Sequence, residues 1–188
     1  MRSGWCSNTS TLTNIEISPL NPNFIFKDDK YLLGKTDQNS DNFDILLFAR
    51  RDLTEAIIPS NIKIISSHAF CLCIKLNKIT FSDNSELHTI EEYAFKGTIA
   101  DQISIPPHVK KLCKFSFESN WSITDINIPI DSELKTIDEN AFSYNKIKSI
   151  FIPQHLNELK KGWCNNTKNL ITIEVSPLNT NFVFKDGK

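Results

Sequence analysis

The chain has 188 residues, 40% of them apolar, which suffices for one ordinary folded domain and is too apolar for a disordered chain. Its 21 basic and 22 acidic residues leave a net charge of −1 and form no basic run, so the electrostatic signature of a nucleic-acid or anionic-membrane binder is missing. The five glycines form no glycine-rich loop, no stretch approaches the ~20 apolar residues of a membrane span, and Met1 to Trp5 opens no apolar run of signal-peptide length.

The chain opens on Gly4-Trp5-Cys6, and residues 4–30 return as residues 162–188 with 18 of 27 positions identical. It thus begins and ends inside equivalent repeats, with no polar capping repeat at either end, and is expected to be a piece of a longer array. Residues 24–51 predict a β insertion. Phe24-Ile25-Phe26, Tyr31-Leu32-Leu33 and Ile45-Leu46-Leu47-Phe48 are β-rich, with polar turns between them, and predict two or three strands. The same insertion is expected to begin again at Phe182-Val183-Phe184.

Outside the insertion, short strand signals of the form apolar–x–apolar recur. They are Ile15/Ile17, Ala56/Ile58, Ile79/Phe81, Ile103/Ile105, Ile126/Ile128, Ile150/Ile152 and Ile173/Val175. From Ile58 on, the second members are 23, 24, 23, 24 and 23 residues apart. The unit is therefore a 47-residue pair of coils, and Ser85 to Phe95 indeed returns as Ser132 to Phe142 with eight of eleven positions identical. Pro59, Pro106, Pro129 and Pro153 follow the strands and stop them, because proline donates no ladder hydrogen bond. Each coil then carries an apolar residue followed by a small–aromatic pair: Ile65 with Ala69-Phe70, Ile90 with Ala94-Phe95, Leu112 with Ser116-Phe117, Ile137 with Ala141-Phe142. A short helical turn is expected there. Trp163-Cys164 is the divergent pair, and Leu76, Ile99, Ile123, Ile147 and Leu170 lead into the next strands.

The pattern x-I-x-I-P, then V/I-x-x-I, then A-F, at 23–24 residues, resembles the leucine-rich repeat of the BspA-like class. Ile103-Ser104-Ile105-Pro106-Pro107-His108-Val109-Lys110-Lys111-Leu112 and Ile137 to Phe142 carry the resemblance, and Asn21 to Phe48 resembles that family's interrupting unit. Members are typically surface or secreted proteins of bacteria and of trichomonad-type protists. The resemblance implies adhesion and binding of host or matrix proteins, and supplies no catalytic residue. The Asn ladder of better-known leucine-rich repeats is read as missing.

Other chemistry fits poorly. Gly34-Lys35-Thr36 ends like a phosphate loop, but Asp29 stands where its first Gly belongs and no helix pattern follows. Asp37 to Asn42 begins like a calcium loop, but Asn42 replaces the required Gly and Phe48 the bidentate Glu. His108 and His155 share a register two coils apart, about 10 Å, too far to share a metal. Cys6, Cys71, Cys73, Cys113 and Cys164, odd in number and irregular in spacing, are expected as buried or half-buried free thiols. No cofactor and no enzyme activity are predicted. Asn8, Asn120 and Asn165 head glycosylation sequons, which an Asn-rich chain also produces by chance.

A surface remains. The expected fold is an α/β repeat: one right-handed leucine-rich-repeat solenoid over residues 1–188, with about seven coils of short parallel strands and short helical turns, interrupted by the β insertion. Alternate strand residues face outward on its concave side. Glu55, Ile57, Lys78, Thr80, Gln102, Ser104, Asp125, Asn127 and Phe151 are the candidate protein-binding residues, with Ile57 and Phe151 as apolar anchors. Exposed singly, such residues need no functional explanation. The expected function is a non-enzymatic protein-binding module of a cell-surface adhesin or surface antigen. An intracellular scaffold and a hydrolase on a repeat scaffold are the alternatives.

Overall fold

The computed structural model describes residues 4–183, and of the expected second start of the insertion at Phe182-Val183-Phe184 the last residue lies outside them. The described chain is a parallel-strand solenoid of about six turns with two strand-bearing faces. The longer strands β4 (Glu55–Ile58), β6 (Lys78–Phe81), β8 (Gln102–Ser104), β10 (Asp125–Asn127), β12 (Ser149–Ile152) and β14 (Thr172–Val175) recur once per coil. Ile15 and Ile17, expected as the first of these strands, form none. They pack instead, half-buried, against Leu32 and Phe48, so the count is six rather than seven.

The second face is one continuous sheet. It is built from β5 (Ile64–Ile65), β7 (Thr89–Ile90), β9 (Lys111–Leu112), β11 (Thr136–Ile137) and β13 (Glu158–Leu159), two residues each and all parallel. The insertion extends it. β1 (Ile25–Lys27), β2 (Tyr31–Gly34) and β3 (Ile45–Ala49) form an antiparallel meander whose third strand is also the first parallel rung, pairing with β5. Asp44 fixes this junction. Its carboxylate accepts hydrogen bonds from the Thr36 N–H (2.8 Å) and hydroxyl (2.6 Å) and pairs with Lys63 at 3.2 Å. The outer edge of β4 is covered by the Tyr31 hydroxyl, which bonds both the N–H and the carbonyl of Ile57.

The predicted helical turns are absent: among the described residues the small–aromatic segments are chains of tight turns. Each coil holds two left-handed residues four apart: His68 and Leu72, Tyr93 and Gly97, Phe115 and Ser119, Asn140 and Tyr144, Gly162 and Asn166. A left-handed residue cannot sit inside a right-handed helix. The conformation turns backbone groups toward the next coil. Phe70, Phe95, Phe117 and Phe142 donate their N–H groups to Ala94, Ser116, Ala141 and Trp163. Bonds between coils thus replace bonds within a helix.

Inside, the aromatics of the small–aromatic pairs form a ladder. Phe70, Phe95, Phe117 and Phe142 are fully buried and stack at 4.9, 5.2 and 5.6 Å, with Tyr31 against Phe70 at 6.2 Å. Each contact adds about 0.5–1.5 kcal/mol beyond the burial of its rings. Before each longer strand the buried apolar residue of the second coil is Ala100, while Ile99 points out, because that coil is one residue shorter there.

A second internal column is polar. Cys73, Thr98, Asn120, Asn145 and Thr167 are buried one above the next. The Asn120 side chain accepts from the Thr98 N–H at 2.7 Å, and the Asn145 side chain accepts from the Asn120 N–H at 3.1 Å. Both amides donate to Phe117 O. An Asn-containing ladder therefore exists, contrary to the expectation from sequence. It satisfies backbone groups that the turns leave unpaired, as buried polar groups require.

Residues 4–12 are held by a buried cation. Arg51, 2% exposed, donates to the carbonyls of Thr9, Ala69, Cys6 and His68 at 3.0, 2.8, 3.2 and 3.1 Å and lies over the Phe48 ring at 4.6 Å. All five cysteines are free; Cys6, Cys71 and Cys73 are buried and Cys113 and Cys164 half-buried. Burial pushes the Cys73 and Cys113 thiols up to about 11, which leaves them protonated and inert near neutrality.

Candidate functional site: the face of the longer strands

The alternation of 23 and 24 residues has a structural meaning. From each longer strand to the next short strand the chain takes seven residues in one coil (Ile58 to Ile65, Ile105 to Leu112, Ile152 to Leu159) and nine in the next (Phe81 to Ile90, Ile128 to Ile137). Strands 23 residues apart pair, giving β4 with β6, β8 with β10 and β12 with β14. Strands 24 residues apart do not: the face is three two-stranded pairs rather than one sheet. Among the described residues no backbone hydrogen bond crosses the β6–β8 seam between the Ile99 N–H to Leu76 O bond and the Lys110 N–H to His88 O bond.

That seam is open. A groove of about 1140 Å³ lies along it, walled by the longer loop at Ser82 to Ser85 on one side and by Pro106, Pro107 and Pro129 on the other. Its floor carries Lys78, Thr80, Gln102 and Ser104, and Asn127 reaches its rim. His108 at one end donates its Nδ1–H to the Glu133 carboxylate at 2.8 Å. Such a site offers hydrogen-bonding side chains on a fixed frame. It holds no nucleophile paired with a base, and among the described residues no three His, Cys, Asp or Glu side chains gather as a metal site would.

The nine residues predicted for binding stand on this face. The strand register places Glu55 beside Lys78, Ile57 beside Thr80, Gln102 beside Asp125, and Ser104 beside Asn127. All eight are exposed, Ile57 to 63%. Phe151 on β12 is half-buried, less available than an outward position implies. The structure brings Lys78, Thr80, Gln102, Ser104 and Asn127 into one groove and leaves Glu55, Ile57, Asp125 and Phe151 out of it. Sequence reasoning found the columns but missed the groove.

The sequons fall in different environments. Asn8 and Asn165 are exposed. Asn120 is fully buried and its amide donates to Phe117 O, so the folded chain offers no attachment site there, and the expectation for Asn120 is withdrawn.

Residues 43–171 match the family model described as BspA type leucine rich repeat region, in six copies. The chain belongs to the BspA-type leucine-rich repeat family. Among curated proteins none matches it. Several solved structures share its fold. The pneumococcal vaccine antigen PcpA is 22% identical, with a TM-score of 0.64 over 73% of this chain and 33% of that one. The T. pallidum leucine-rich repeat protein TpLRR is 27% identical, with a TM-score of 0.60 over 65% and 56%. A leucine-rich repeat protein from Eubacterium ventriosum is 19% identical, with a TM-score of 0.56 over 98% and 59%. This BspA-type chain thus spans between one third and three fifths of the lengths of these proteins. Leucine-rich repeats of this kind are generally non-enzymatic protein-binding scaffolds, and among the described residues no helix is long and apolar enough to cross a membrane.

Proposed function

We propose that this BspA-type chain is a rigid protein-binding module that works outside the cell as part of a surface adhesin or surface antigen. The observation that carries the reading is the face of the longer strands: exposed polar columns and a pre-formed groove on a frame of stacked coils. The phenylalanine and Asn ladders run through the coils that carry this frame, so a partner that docks orders little of the module. Little ordering entropy is lost, and more of the contact energy appears as affinity. Ile57 supplies an exposed apolar anchor beside the groove, and Phe151 a second, half-covered one. That one fold relative is a pneumococcal vaccine antigen supports the surface placement.

The test is a pull-down of host extracellular-matrix and cell-surface proteins on the purified module, with Ile57→Asp and Phe151→Asp variants beside it. The reading expects a retained partner that the variants lose. Retention only from cytosolic extract would point to an intracellular scaffold instead.

A further inference from the structure

The buried Asn ladder fixes a second surface column. Side chains alternate along the chain as it leaves each turn, so the residue after each ladder member points out. Those residues are Ile74, Ile99, Trp121, Lys146 and Lys168, one per coil on five consecutive coils, and all are exposed. Tyr144, from the coil after Trp121, leans onto the indole with ring centres 5.9 Å apart. One edge of the solenoid is therefore apolar along Ile74, Ile99, Trp121 and Tyr144, exposed to 59, 42, 58 and 38%, and basic beyond it. Contiguous exposed apolar surface of this kind marks an interaction site more often than scattered single residues do.

The basic end of the stripe carries unpaired charge. Lys75, Lys146, Lys148 and Lys168 are exposed and, among the described residues, none is in an ion pair. Of the acidic residues beside it, Glu118 is held by Lys96 at 2.7 Å, and Asp101 faces the groove. Ile99 lines that groove as well, so edge and groove are continuous.

We infer that this edge docks an extended, acidic polypeptide segment with apolar anchors. Its apolar side chains pack on Ile74, Ile99 and Trp121, and its carboxylates meet Lys146 and Lys168. Coils about 4.8 Å apart make the column about 19 Å long, which about six extended residues span. The Trp121–Tyr144 pair is the anchor, since rigid aromatics give contact area at low entropic cost. The site is separate from Ile57 and Phe151, so its failure and that of the proposed adhesin face are distinguishable.

The experiment titrates the module with a labelled synthetic peptide whose one half is Leu and Phe and whose other half is Glu. A counterpart with Lys in place of Glu and anionic phosphatidylserine vesicles are run in parallel. The expected result is binding of the acidic peptide alone, weakened about tenfold or more by Trp121→Ala and by the Lys146→Glu/Lys168→Glu pair and unchanged by Ile57→Asp. The lysine changes are at the surface, and unshifted melting shows that they leave the fold intact. No binding of the acidic peptide, equal binding of the basic one, vesicle binding alone, or indifference to the lysine pair would overturn the inference.

Discussion

Asn120 does the work of three groups at once. Its carbonyl oxygen receives the Thr98 N–H and hydroxyl, and its amide donates to Phe117 O, all at full burial. An Asn120→Ala chain keeps the shape but leaves the buried Thr98 N–H and hydroxyl without their acceptor, while the Phe117 carbonyl keeps only the Asn145 amide. An unsatisfied buried group costs about 1–3 kcal/mol, so the loss measured by urea melts should be at least that large. A loss below about 0.5 kcal/mol, the level of an ordinary surface substitution, would mean that the ladder is decorative. The ladder was legible at the spacing phenylalanine–x–x–polar: Phe70 to Cys73, Phe95 to Thr98, Phe117 to Asn120, Phe142 to Asn145. It is easily missed because three residue types fill one role. The sequon at Asn120 also points the same side chain toward solvent, and the two readings exclude each other. The left-handed residues were not legible. Tyr93, Phe115 and Leu72 rank among the residue types least given to positive φ, and bonds to neighbouring coils, with Tyr93 stacked on Phe115 at 4.8 Å, hold them there.

At the level of elements, the strands and their period were legible because apolar alternation and proline stops leave a strong imprint. The β-rich runs of residues 24–51 were visible and form β1, β2 and β3, but nothing in them marked the third strand as a rung of the solenoid. Helical turns were expected because a small–aromatic pair five residues past an apolar one fits a helix face as well as a chain of turns. Periodicity over so few residues cannot separate them. The junction between insertion and coils carries its own test. Burial alone would push the Asp44 carboxyl up, but the Thr36 hydroxyl and N–H and the Lys63 ammonium outweigh it and hold the group below the ordinary carboxylate range. A carboxyl with a depressed folded pKa contributes stability that is fully present above its unfolded value. That contribution is lost as pH falls from about 4 through the folded value. Asp44→Asn should therefore be less stable than the native chain at pH 7, and the gap should close as pH drops below about 4. A gap that is constant with pH would show that the carboxylate's charge is not what secures the insertion.

Across the whole molecule, the two-coil unit explains why the two faces differ. The short strands pair without a break, and the longer ones separate at every second step, where the loop after the strand is two residues longer. The alternation of 23 and 24 is plain in the sequence; its consequence is not, because which step pairs depends on how the longer loop seats on the coil beneath. That open seam forms the groove, and the groove is what makes the proposed binding face more than a polar sheet. Amide hydrogen exchange on the free protein tests this most directly. The account predicts slow exchange for amides in the β4–β6 and β8–β10 pairs and along the continuous sheet, and fast exchange for the β6 and β8 amides that face each other across the groove. Equal protection across the β6–β8 seam would contradict it, leaving a closed sheet with no groove to bind in.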